Sequence, residues 1–274
     1  MRTPLEIAQL AALAGGAALE GRAGDTGAVR SKGSPTDFVT EADIASGLAV
    51  VRTILAHDPR ARIVVEEPEV CHDLGVEPGT LDDARVWVVD PLDGTTSFLH
   101  GFPCYSVSVA LVCEGRSVAG AVYNAATAKL FSAAVGEGAT CEGEVLRCAS
   151  ASTVQEALLV TGFPYDRGLP LDRQLAVLAA FLRAPVHGIR RDGSAAIDCC
   201  HVASGQADGF WEYALKPWDM AAGALICAEA GARVTDLDGV GWTSASRSIC
   251  VANPVLHDQM LDVIASAEAA TPRS

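Results

Sequence analysis

The chain has 274 residues, half of them hydrophobic and a fifth charged, with 20 Lys and Arg against 34 Asp and Glu for a net charge of −14. This balance supports one large or two smaller globular domains and excludes disordered, collagen-like and coiled-coil chains. The acidity argues against nucleic acid as a main partner, because phosphate backbones demand clustered Lys and Arg, and it suits a site that gathers divalent cations.

In chain order, residues 5–19 read as an Ala/Leu helix, since Glu6 and Gln9 interrupt the pattern of a signal peptide. Residues 21–35 form a Gly/Ser-rich loop carrying Arg30 and Lys32, and 40–56 a helix with Ile44, Leu48, Val51 and Leu55 at helical spacing. Residues 62–66 and 85–90 are strands, the first running into Glu66-Glu67 and the second ending at Asp90. Residues 105–113, 117–123 and 129–134 alternate or run apolar between Gly-containing turns, as antiparallel hairpins do. Beyond residue 150 strands and helices alternate: strand 157–161, helices 171–182 and 194–204, strand 209–213, helix 218–230, strands 233–235 and 248–251, helix 254–265. An α+β chain of this kind is expected to stack two sheets between helix layers. The seam falls near residue 150, with residues 1–150 as the half carrying most acidic candidates and 151–274 completing the site.

Nine cysteines are scattered from Cys71 to Cys250 without a C-x-x-C pair, and the vicinal Cys199-Cys200 disfavours mutual bridging. Free thiols in a reducing compartment, the cytoplasm, are expected. No uninterrupted apolar run is long enough to span a bilayer, so no membrane partner is expected.

Three acidic groups sit where elements begin or end: Glu66-Glu67, the run Asp90-Pro91-Leu92-Asp93-Gly94-Thr95-Thr96, and Trp218-Asp219. Carboxylates at the end of a buried strand are costly to desolvate unless positive charge lies close, and Mg²⁺ takes oxygen ligands. Asp90 and Asp93 flank a Pro-Leu turn that can aim both side chains and the Leu92 carbonyl at one point. Gly94-Thr95-Thr96 then offers amides and hydroxyls at a helix start, where a phosphate can be held. Together these residues suit metal-assisted phosphoryl chemistry. Each has a plainer reading alone. Asp90 and Asp93 can cap a turn, Glu66-Glu67 can be a solvated strand end, and Asp219 can be an acid in a helix's first turn. His100, in His-Gly-Phe-Pro, reads as a turn or interface residue.

Taken in order, Asp43, Glu66-Glu67, Asp90 to Thr96 and Trp218-Asp219 resemble the signature of the inositol monophosphatase family. Supporting blocks are residues 37–43, 98–103 and 161–164, then Asp192-Gly193-Ser194-Ala195-Ala196 and Trp211-Glu212-Tyr213, so the similarity runs from about Lys32 to Val251. The resemblance implies a layered αβαβα sandwich of the sugar-phosphatase type and a lithium-sensitive phosphomonoesterase using two to three Mg²⁺ ions. Glu66, Asp90 and the Leu92 carbonyl would hold one ion, with the Thr95 hydroxyl close by; Asp90, Asp93 and Asp219 would hold a second, and a third would lean on Glu66. Glu66 and Thr95 would orient the attacking water, with Asp43 orienting Thr95. Gly94, Thr95 and Thr96 would bind phosphate, and Asp93, Gly193, Ser194, Ala195 and Glu212 the rest of the substrate. Lys32 would sit in a loop that closes on the site.

Val65 and Pro68 around the Glu pair, and Ser97 after the threonines, depart from the family's usual residues without removing a ligand. The resemblance further implies a small phosphorylated polyol as substrate, inositol 1-phosphate first, with histidinol phosphate or galactose 1-phosphate as alternatives. It implies a homodimer, in the cytoplasm or, for a plant or algal source, the plastid stroma. A regulatory binding role is the alternative of another class.

Overall fold

The structure, a computed structural model, describes residues 2–24, 29–31 and 38–270. Lys32 lies outside these residues. Helix α1 (Pro4–Leu19) starts at a capping box in which Thr3 and Glu6 satisfy each other's backbone amides, with Pro4 in the first turn. Strands β1 (Arg30–Ser31) and β2 (Phe38–Val39) pair antiparallel ahead of α2 (Glu41–His57).

There follow β3 (Ile63–Val65), α3 (Pro68–Leu74), β4 (Arg85–Asp93), α4 (Thr95–Leu99), β5 (Ser106–Cys113), β6 (Arg116–Asn124), β7 (Lys129–Ala134), β8 (Gly138–Cys141) and β9 (Glu144–Val145). The seven strands from β3 to β9 form one sheet in chain order. Only the β3–β4 pair is parallel; every later neighbouring pair is antiparallel. Next come β10 (Leu158–Thr161), α5 (Leu169–Arg183), β11 (Gly188–Arg190), α6 (Ala195–Ala203), β12 (Gly209–Tyr213), α7 (Pro217–Glu229), β13 (Arg233–Thr235), β14 (Ser248–Ala252) and α8 (Pro254–Ala269). Their strands form a second sheet in the order β11-β10-β12-β14-β13.

The layers alternate as αβαβα. Helices α1 and α2 cover the outer face of the first sheet, α6 and α7 lie between the sheets, and α5 and α8 close the second. Three apolar clusters fill the joints. Ile7, Val50, Ile54 and Trp87 pack under α1 and α2; Val88, Cys199, Met220 and Phe210 fill the middle; Phe181, Trp211 and Met260 seal the outer side of the second sheet. In β4, Trp87 and Val89 face one cluster while Val86 and Val88 face another, the alternation of a strand buried on both faces.

Several short elements escape the sequence patterns. Pro68 is the first-turn proline of α3, so the departure after the Glu pair starts a helix. Strands β8, β9 and β11 have two to four residues, too few for a period to emerge. His100 is the exposed residue that ends α4. All nine cysteines are unpaired, six of them buried. No helix among the described residues is long and apolar enough to cross a membrane.

Candidate active site

The site forms where the C-terminal ends of β3 and β4 meet the N-terminal turns of α2, α4, α6 and α7. The ladder between β4 and β5 shifts register between Asp90 and Asp93, releasing Pro91 and Leu92 from pairing. Pro91 has no amide to lose there, and the Leu92 amide donates to Asp90 Oδ1 at 3.0 Å. Gly94 follows with φ +93°, and a Cβ there would stand 2.7 Å from the Cys104 carbonyl oxygen. Only glycine makes this turn from strand to helix.

Thr95, buried in the first turn of α4, has its Oγ 3.2 Å from Asp43 Oδ1 and 3.1 Å from the Leu92 carbonyl oxygen. Asp43 is in turn fixed as the third residue of α2, where its Oδ2 accepts from the Thr40 amide at 2.8 Å. Glu66 follows β3, its amide donating to the Val89 carbonyl, which brings it beside the end of β4. Asp219 holds the equivalent capping place in α7, accepting from the Lys216 amide at 2.7 Å.

Asp93 is oriented from the other half of the chain. Ser194, the N-cap of α6, donates its hydroxyl to Asp93 Oδ2 at 2.6 Å, and the Ala196 amide donates to the same oxygen at 2.8 Å. Ser97 donates to the Asp192 carbonyl at 3.3 Å and ties α4 to that loop, a use for the hydroxyl at this departure from the family pattern.

Glu66, Asp90, Leu92, Asp93, Gly94, Thr95, Gly193, Ser194, Ala195, Glu212 and Asp219 all line one cavity. Asp43 stands behind Thr95, and Thr96 is exposed outside the cavity lining. Gly162, Phe163, Tyr165, Arg191 and Asp198 also line it, and sequence reasoning gave none of them a role. Gly162 and Phe163 lie within residues 161–164, which support the family resemblance; Asp198 and Arg191 carry no local signal beyond lying near Gly193.

Burial and mutual repulsion set the electrostatics of the cavity. Burial, then the charges of Glu66, Asp93 and Asp219, push the Asp90 carboxyl well above the ordinary range. Burial, then Asp93 and Glu66, do the same to Asp219. Burial raises Asp93 to about 6 despite the Ser194 and Ala196 hydrogen bonds. Glu212, buried in β12, is pushed to about 8 by burial and then Asp93, with Arg191 opposing. Carboxylates that destabilise one another in a dry pocket are a donor set for hard cations, and oxygen ligands of this kind fit Mg²⁺.

The profile of the inositol monophosphatase family matches residues 1–269. The chain belongs to that family. An inositol-1-monophosphatase of Synechocystis is 37% identical over 97% of this chain and 90% of its own length. A Neisseria meningitidis protein named putative Nus factor SuhB is 39% identical, covering 89% of this chain and 91% of its own. The solved inositol monophosphatase of Anabaena (Nostoc) superposes with a TM-score of 0.83 at 36% identity, over 96% of this chain and 95% of that one. The protein is therefore a phosphatase with the layered fold of that family, whose members depend on metal ions.

Proposed function

We propose that this phosphatase is a Mg²⁺-dependent phosphomonoesterase acting on a polyol monophosphate, with inositol 1-phosphate the first substrate to test. The observation that carries the reading is the set Glu66, Asp90, Asp93 and Asp219 converging on one cavity beside Gly94 and Thr95. Bound there, Mg²⁺ would lower the pKa of a water toward neutrality and offset the charge of the phosphate.

The chain's own groups then have separate tasks. Asp43 holds the Thr95 hydroxyl, which with Glu66 orients the attacking water. The amides of Gly94, Thr95 and Thr96 at the start of α4 receive phosphate oxygens. Ser194 and the Ala196 amide keep Asp93 pointed into the cavity. Glu212, buried in the lining of the same cavity, faces the alcohol and exchanges hydrogen bonds with its hydroxyls. Positioning and charge neutralisation are the main requirements of phosphoryl transfer, and no covalent phospho-enzyme is invoked. In keeping with that, burial and the charges of Asp198 and Asp93 hold the Cys104 thiol far above the ordinary thiol range.

Phosphate release from inositol 1-phosphate, histidinol phosphate and galactose 1-phosphate, with and without Mg²⁺ and with added Li⁺, tests the reading. Mg²⁺-dependent, Li⁺-inhibited release fastest from inositol 1-phosphate is expected. Preference for another ester would replace the substrate and keep the chemistry. A regulatory binding role is the second reading, favoured by the relative named as a Nus factor. Release from none of the three esters would favour it.

A further inference from the structure

Starting at Asp198 in the wall of the candidate catalytic cavity, a second group of potential ligands joins the loop before α6 to the helix itself. One carboxylate oxygen each from Asp192 and Asp198 and a ring nitrogen of His201 all lie within 4.8 Å of one another. Asp198 and His201 are three residues apart in α6 and so share a helical face. Asp192 reaches that face from the loop between β11 and α6.

Asp198 is the most deeply buried of the three. It is 1% exposed, and its Oδ1 has no hydrogen-bond partner among the described residues. A buried carboxylate oxygen left unmet costs free energy that a cation or a proton must offset. The nearby cationic side chain, Arg191, is exposed and lies over the Phe163 ring at 5.8 Å, with no ion pair to Asp198. His201 and Asp192 are only half-buried, which leaves an ion a route inward.

We propose that Asp192, Asp198 and His201 form a binding site for a borderline divalent cation of the Zn²⁺ class, separate from the Mg²⁺ ligand set. An imidazole with two carboxylates selects ions of that class over Mg²⁺, which prefers oxygen donors alone. The tetrahedral shell of such an ion sets ligand atoms bonded at roughly 2.1 Å about 3.4 Å apart. The three ligand atoms, within 4.8 Å of one another, close onto an ion by side-chain rotation. The ion ties the loop of residues 191–194 to α6, and Ser194 in that loop orients Asp93. It is a positioning ion, one step removed from the reaction.

The test is a Zn²⁺ titration of the full chain in excess Mg²⁺, which keeps the all-oxygen site filled. Binding is followed by calorimetry and by ¹⁵N NMR of the histidine rings. One equivalent of Zn²⁺ is expected to shift the His201 ring resonances. His201→Gln, Asp192→Asn and Asp198→Asn should each weaken that equivalent about 10-fold or more. His201→Gln should leave turnover in Mg²⁺ alone unchanged. An unmoved His201 ring, or unchanged Zn²⁺ affinity in folded His201→Gln and Asp192→Asn proteins, would overturn the site. Zn²⁺ bound only by displacing Mg²⁺ would overturn it equally.

Discussion

Ser194 Oγ stands 2.6 Å from Asp93 Oδ2, a hydrogen bond between residues 101 positions apart. It joins the end of β4 in the first sheet to the first turn of α6 between the sheets. The same hydroxyl accepts the Ile197 amide at 3.2 Å, so one side chain both caps a helix and aims a carboxylate.

Ser194→Ala is expected to remove both contacts. The cap contributes about 1 kcal/mol, and the hydrogen bond to a carboxylate about 1.5–3 kcal/mol when that carboxylate is charged. A fall in thermal midpoint together with a 10- to 100-fold drop in kcat, roughly the cost of losing a partner that orients a metal ligand, should follow. Wild-type kcat in a folded variant would show that Asp93 needs no such support.

Asp90→Asn separates stability from turnover. Asp90 is buried among Glu66, Asp93 and Asp219, so removing its charge should raise the thermal midpoint of the metal-free protein. Phosphate release in Mg²⁺ should fall by more than about 100-fold, beyond the loss typical of a residue that only supports a ligand. Unchanged turnover would remove Asp90 from the ligand set.

Gly162 controls Glu212 by contact. A Cβ at residue 162 would stand 2.3 Å from both carboxylate oxygens of Glu212. Gly162→Ala should therefore displace Glu212 and raise KM for a polyol phosphate by about 10-fold, the upper end of what one hydrogen bond contributes. An aryl phosphate without hydroxyls should be hydrolysed with nearly unchanged KM. Equal effects on both esters would place the damage at the phosphate end.

The metal-free protein should lose stability as pH rises. Unfolded, Glu212 releases its proton near 4.5; folded, it holds it to about 8, and Asp93 holds its own to about 6 instead of 3.8. Across those intervals the native state binds the extra protons, so each step upward in pH favours the unfolded chain. Below pH 4 this contribution is fully present, and above pH 8 it is gone. Asp93 is partly exposed, so solvent reduces its share. Thermal midpoints measured from pH 5 to 8 should fall without metal and flatten with saturating Mg²⁺. A parallel decline in both series would count against cation binding by these carboxylates.

The sequence alone determined the layered architecture, because apolar periods of two and of 3.6 mark strands and helices that must bury those faces. The acidic core of the candidate site was legible as well, because Asp90 to Thr95 is contiguous and one bulge with one glycine turn brings it together. The tertiary structure decided what surrounds that core. Ser194 reaches Asp93, Gly162 makes room for Glu212, and Asp198 meets Asp192 and His201 only once α6 and the second sheet have docked. Thr96 belongs to the contiguous motif yet its side chain lies outside the cavity, since neighbouring positions of a helix point in different directions. Local periodicity carries which face is buried; contacts across a hundred residues follow from packing two sheets around a shared pair of helices, and no short stretch of sequence encodes them.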